Sequence, residues 1–144
     1  MESEGMAKGA FDPLKSDPKG VSFTIPSMPP SMNSMYNVLF GLRKVELKPE
    51  ARLWKSKAKE FIPKHSISAQ ERVSINFLFF GSWLSKEGKI LKRDVTNREK
   101  LILDAISEKC GWDDSQVWHR TVGKVQSEKE YVKVSYFVMG IQGA

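Results

Sequence analysis

Between Arg93 and Val117 the chain reads RDVTNREKLILDAISEKCGWDDSQV, and Asp94, Lys100, Asp104, Asp113 and Asp114 among these residues could together hold a cation and touch a phosphate. Carboxylates gathered beside basic side chains suggest a divalent metal acting on phosphate, because hard cations take oxygen ligands and a nearby ammonium neutralises phosphoryl charge. Sequence distance alone does not unite them. Asp94 precedes what reads as one amphipathic helix, Lys100 and Asp104 lie within it, and the pair Asp113 and Asp114 follows it.

The helix itself is legible. Thr96-Asn97-Arg98-Glu99 fits a capping box, with Thr96 as N-cap and Glu99 three residues on. Leu101, Ile102, Ala105 and Ile106 form the apolar stripe, while Asn97, Lys100 and Asp104 fall on a neighbouring sector and can face one site. The plainer alternative is a Lys100–Asp104 pair at i, i+4 beside a solvated Asn97, worth only a few tenths of a kcal/mol. Gly111 supplies the C-terminal stop. Adjacent aspartates most often mark a turn, and here they precede a strand over 117–125, a charged turn over 126–130 and a strand over 131–139, which together predict a closing hairpin.

Upstream, Val21, Phe23 and Ile25 alternate with Ser22 and Thr24 as a half-buried strand ended by Pro26. The stretch 26–36, with three prolines and two near-adjacent polar candidates, Asn33 and Tyr36, is a stiff loop able to present those side chains or simply to cover the core. Pro49 opens a second helix in which Ala51, Trp54, Ala58, Phe61 and Ile62 make the apolar stripe and Pro63 the stop. Its other face carries Arg52, Lys55 and Lys59, a basic stripe that could follow a phosphate backbone or form an ordinary wet face. A strand over 72–80 is apolar on both faces towards its end, so it belongs inside a sheet. The loop after it delivers Lys86, Lys89, Lys92 and Arg93 to the edge of Asp94.

These elements predict an α+β fold, a mixed sheet of about four strands with two helices packed on it, in the order β-α-β-α-β-β. With 144 residues the chain is about one domain. Residues 1–19 mix Gly, Pro, Ser and charge and read as a flexible arm, 20–140 as the domain and 141–144 as a tail. A net charge of +6 leans towards a polyanionic partner. A single cysteine, Cys110, allows no intrachain disulfide, and no segment has signal-peptide or membrane-span character, so a cytoplasmic location and no membrane partner are expected. Trp54, Trp83 and Trp118 could stack on unpaired bases, although core packing is the simpler reading for Trp54.

Three blocks in this order resemble the RusA-type Holliday junction resolvases: Pro29-Pro30-Ser31 with Asn33 and Tyr36; Arg93-Asp94 leading to Asn97, Lys100 and Asp104; and Asp113-Asp114-Ser115-Gln116-Val117. The resemblance extends over 21–139 and implies a bacterial or phage-encoded homodimeric endonuclease acting on branched DNA, the four-way junction, with Mg²⁺ as cofactor and Mn²⁺ able to substitute. It implies catalytic and metal-binding roles for Asp94 and Asp114, with Asp113 beside them as a further ligand and Lys100 near the scissile phosphate. Thr96, Asn97 and Asp104 would support the site, and Arg52, Lys55, Lys59, Lys86, Lys89, Lys92 and Arg93 would hold DNA. One position departs: where the family has Asp-x-Asp-Asn, this chain has Thr96 as the third residue. A neutral hydroxyl replaces a charged ligand, so the readings that stay open are a nuclease and a junction-binding protein that cuts poorly. A basic domain whose acids are only turn and cap chemistry is the third.

Overall fold

Nine residues, Val73–Gly81, form the strand around which the others assemble, β4 in chain order. Val73, Ile75, Phe77 and Phe79 are fully buried and share one face, as period-two geometry requires. A computed structural model describes residues 20–31, 36–39, 44–95 and 97–139, with only the backbone for 36–39 and 44–46. The expected arm at 1–19, the tail at 141–144, Asn33 and Thr96 lie outside the described residues, as does the side chain of Tyr36.

The fold is α+β. β1 (Gly20–Ile25), β6 (Tyr131–Val138), β4 and β5 (Val117–Gln126) form a four-stranded mixed sheet in the order β1-β6-β4-β5. β6 runs antiparallel to both β1 and β4, and β5 runs parallel to β4. The closing hairpin expected from the sequence does not form. β5 and β6 lie on opposite sides of β4, and the link between them passes the end of β4, where the Ser127 N–H donates to the Gly81 carbonyl at 2.8 Å. The reason is burial: β4 is apolar on its core face and closely covered on the other, so it takes a central position, whereas β5 is exposed along most of its length and takes the edge. A short antiparallel ribbon, β2 (Tyr36–Leu39) with β3 (Lys44–Leu47), follows the expected loop over 26–36, in a stretch for which the sequence suggested no element.

Helices α1 (Pro49–Ala58) and α2 (Arg98–Cys110) bring Ala58, Ile102, Leu103, Ala105 and Ile106 into one core with the buried face of β4 and with Val132, Val134 and Tyr136 of β6. Pro49 opens α1 as expected, and a 3-10 turn, Lys59–Phe61, ends it; this turn brings Ile62 into the core and leaves Phe61, expected in the apolar stripe, 45% exposed. α2 begins at Arg98, one residue later than the capping box implied, with Asn97 in the left-handed region at φ 65° and no side-chain cap. Gly111 ends it as expected, at φ 84°, its N–H donating to the Ser107 carbonyl at 2.8 Å.

Near its C-terminal end α2 is clamped to α1. Glu108 accepts from Lys55 at 2.6 Å and also from Lys59. Burial alone would raise the Glu108 carboxyl, but hydrogen bonds and charge from the two lysines prevail and hold it below the ordinary Glu value. A folded-state value below the unfolded one, about 4.3, gives stability that is present above that pH and lost as pH falls through the lower folded value. Glu108→Gln is therefore expected to lower stability at pH 7 by no more than about 1 kcal/mol, since Glu108 itself is exposed and water screens its charge. The difference from the parent should vanish at acid pH, read from urea melts across pH 3 to 7.

Candidate active site

Where α2 passes the start of β5, a cavity of about 200 Å³ is lined by Lys100, Leu103, Asp104, Asp114 and Arg120. Three of the five come from α2 at helical spacing, so one face of that helix supplies an ammonium and a carboxylate together. Asp114 opens the 3-10 turn Asp114–Gln116, and Arg120 projects from β5.

The turn that presents Asp114 is fixed by its neighbours. Asp113 Oδ2 accepts from the Ser115 N–H at 3.0 Å, and Gln116 Oε1 accepts from the Asp113 N–H at 3.1 Å, a reciprocal cap. Gln116 Nε2 also donates to the carbonyls of Ser68 and Glu71, at 2.9 and 3.0 Å, tying the turn to the segment that leads into β4. Asp113, expected as a metal ligand, spends a carboxylate oxygen on this cap and is not among the described residues lining the cavity. Hydrogen bonds from Ser115 draw its carboxyl below the ordinary Asp value.

Asp104 is half-buried, and its carboxyl is raised above the ordinary value by burial first, with Glu108 and Asp114 adding to the rise and Lys55 and Lys100 opposing it. Two carboxylates thus feel one another across a small polar cavity walled by Lys100 and Arg120. Asp94 lies exposed just before the N-terminal end of α2, where its carbonyl accepts from Arg98 Nε at 2.8 Å. It is not among the cavity's described lining residues. Arg98 also donates to the Pro29 carbonyl at 2.6 Å, so the proline-rich loop and the Asp94 segment meet at the helix start. Burial, then the nearby Arg93, lowers the Arg98 pKa.

Arg120 was not foreseen. It stands opposite Ile75 in the β4–β5 register, on the face that carries the buried apolar residues, and its guanidinium donates to Glu99 Oε2 at 3.3 Å. Glu99, the expected partner of the helix cap, is 8% exposed, and its Oε1 has no hydrogen-bond partner among the described residues. The available signal was parity: a cation on the inward-facing side of a strand, where an aliphatic residue would ordinarily sit.

The expected DNA contacts divide into two groups. Lys86, Lys89 and Lys92 are exposed on the loop after β4, which turns at Gly88 with φ 82°. Arg93 is tied into the fold, donating to the Ser82 carbonyl at 2.8 Å and to Glu130 at 2.7 Å, with its guanidinium over the Trp83 ring. Lys55 and Lys59 hold Glu108, and Arg52 donates to the Leu47 carbonyl at 2.8 Å.

Among the described residues no three His, Cys, Asp or Glu side chains come together as a metal-ion site. Asp104 and Asp114 fit a Mg²⁺ ion that keeps several waters and is held by one or two carboxylates plus a substrate phosphate. They do not make a closed cage of protein ligands. Among the described residues no helix is long and apolar enough to cross a membrane.

No curated protein matches the chain. The family model for endodeoxyribonuclease RusA matches residues 26–135, a span that contains the helix, the turn and the edge-strand residues around the cavity. The chain belongs to the endodeoxyribonuclease RusA family.

Proposed function

We propose that this protein is a metal-dependent, structure-selective endonuclease that hydrolyses phosphodiesters at four-way DNA junctions, acting as a homodimer. Membership of the RusA family implies a Holliday junction endonuclease. The observation that carries the reading to these residues is the shared cavity of Lys100, Asp104, Asp114 and Arg120, two carboxylates faced by two cations.

Asp114 and Asp94 would hold the metal by their correspondence to the family motif, and Asp104 stands ready beside Asp114. Mg²⁺, when bound, supplies a Lewis acid for the phosphoryl oxygen and makes a water more acidic. Lys100 and Arg120 hold the phosphodiester and offset the charge that grows on its oxygens, most effectively if they are already oriented before the reaction. The bond from Arg120 to buried Glu99 provides such orientation, and the cap at Asp113 fixes the turn that carries Asp114. Exposed Lys86, Lys89 and Lys92 suit contacts to the phosphate backbone, which position DNA without reading its sequence. A two-fold substrate is matched by a two-fold enzyme, each site addressing one strand.

A second reading, a junction-binding protein that cuts weakly or not at all, draws on Thr96 in place of the family aspartate and on the lack of a three-ligand group among the described residues. One assay separates the two: a labelled synthetic four-way junction incubated with the protein in Mg²⁺ or Mn²⁺, run on native and denaturing gels. The nuclease reading expects a shifted junction and symmetric nicks that EDTA abolishes. A shifted but intact junction under both metals sinks that reading and leaves the second, and no shift at moderate salt sinks both.

A further inference from the structure

Of the four tryptophans, three are accounted for by the fold. Trp83 and Trp112 are buried, and the Trp54 indole N–H donates to Ser27 Oγ at 2.8 Å. Trp118 is different: it is 65% exposed on the edge strand β5. The register explains how it comes to project. Val117 pairs with Val73 and His119 with Ser74, so Trp118 is the extra residue of a β-bulge. A bulge re-aims a side chain, and bulges concentrate beside active sites.

Two further features bear on what the indole meets. The Arg72 guanidinium lies over the ring, 4.3 Å from its centroid, covering one face and steadying the side chain. A concavity of about 260 Å³ borders the ring, lined by Gln70, Glu71, Arg72, Ser115, Gln116 and Trp118 among others. The 3-10 turn is the divide between this concavity and the carboxylate cavity: Asp114 faces one, while Ser115 and Gln116 face the other. Trp118 lies four positions after Asp114, at most about 14 Å of chain, or roughly four nucleotides at 3.4 Å each.

We infer that Trp118, braced by Arg72, is a stacking platform for an unpaired base of the DNA strand that occupies the neighbouring carboxylate cavity. The inference rests on the proposed junction-nuclease reading and adds to it a site for a base released at the branch point. A base suits the surface better than an apolar protein segment does. The concavity is lined mostly by polar and charged groups, the Arg72 guanidinium lies over the ring, and the chain carries a net charge of +6. Stacking on an aromatic ring tolerates any base, which fits recognition of branch structure rather than sequence.

The test uses the full chain and its own fluorescence. Trp83 and Trp112 are buried and Trp54 is partly buried, so the emission of Trp118 is read as the acrylamide-accessible part that Trp118→Phe removes. Adding a four-way junction with unpaired thymines at the crossover is expected to quench that emission and shield it from acrylamide, while a linear duplex does neither. Trp118→Ala should weaken binding of this junction roughly tenfold to hundredfold and leave duplex binding within about twofold, and Trp118→Phe should restore most of the loss. The inference is overturned if saturating junction leaves the emission unchanged, or if the alanine variant loses junction and duplex binding equally. It is also overturned if that variant turns a dimer into a monomer, since the ring would then cover a second copy of the chain. Quenching without cleavage leaves the platform standing and counts only against the nuclease; a parent chain that does not shift the junction sinks the nuclease reading and this inference with it.

Discussion

Asp114→Asn is expected to bind a four-way junction with near-parental affinity and to cut it at least roughly 100-fold more slowly, a loss of about 2.7 kcal/mol of transition-state stabilisation. Asparagine preserves the shape of the side chain at the head of the 3-10 turn, and the hydrogen bonds that fix the turn belong to Asp113, Ser115 and Gln116. What is lost is the formal charge that a hard cation requires in a carboxylate ligand. Asp113→Asn is the informative neighbour. Asparagine caps a turn as well as aspartate does, so a residue whose part is the cap should tolerate the change and keep its cleavage rate within about threefold. A metal ligand would not. Nicking rates for the two variants, with gel shifts in Ca²⁺ to read binding apart from cutting, assign the adjacent carboxylates to separate tasks. Equal collapse of both rates would return Asp113 to the metal, and an unaffected Asp114→Asn would remove the cavity from the chemistry.

Local rules carried much of the fold. The stop at Gly111 follows from the left-handed cap that glycine adopts most readily, and the two-sided apolar character of 72–80 pointed to a central strand. The hairpin failed because strand adjacency is a property of the whole sheet. A four-residue link reads the same whether its strands pair directly or straddle a third, and only the need to cover β4 on both sides selects the second. The site divides along a similar line. Lys100 and Asp104 share a helix sector by period, and Asp114 joins them because α2 ends beside the start of β5. Arg120 was hidden, since its partner Glu99 was read as a helix cap and its inward parity depends on a register that no local window contains. The bulge that exposes Trp118 is a register defect as well, visible only against β4.

Thr96→Asp is expected to raise the rate of junction cleavage about tenfold or more and to lower the Mg²⁺ concentration at which cleavage is half-maximal. The substitution restores the family's Asp-x-Asp-Asn spacing and adds a charged oxygen donor two residues from Asp94. In the present chain the carboxylates that line the cavity are Asp104 and Asp114, and no three metal-capable side chains gather among the described residues. A third carboxylate in the motif is what a second ion would call for, since two ions are held by carboxylates shared across about 3.5 to 4 Å. The cost to folding should be small. A new negative charge next to the N-terminal end of α2 is favoured by the helix dipole and opposed by Asp94, each by about 0.3–1 kcal/mol at most. Thermal melts without metal should therefore nearly coincide, while added Mg²⁺ should stabilise the variant more than the parent because binding to the folded state adds to its stability. Metal titrations of the cleavage rate and of the melting temperature, run on parent and variant together, decide the matter. A gain in both marks the threonine as the defect that separates binding from cutting. Equal rates and equal metal dependence would mean that Asp104 and Asp114 already supply what the family draws from its second aspartate.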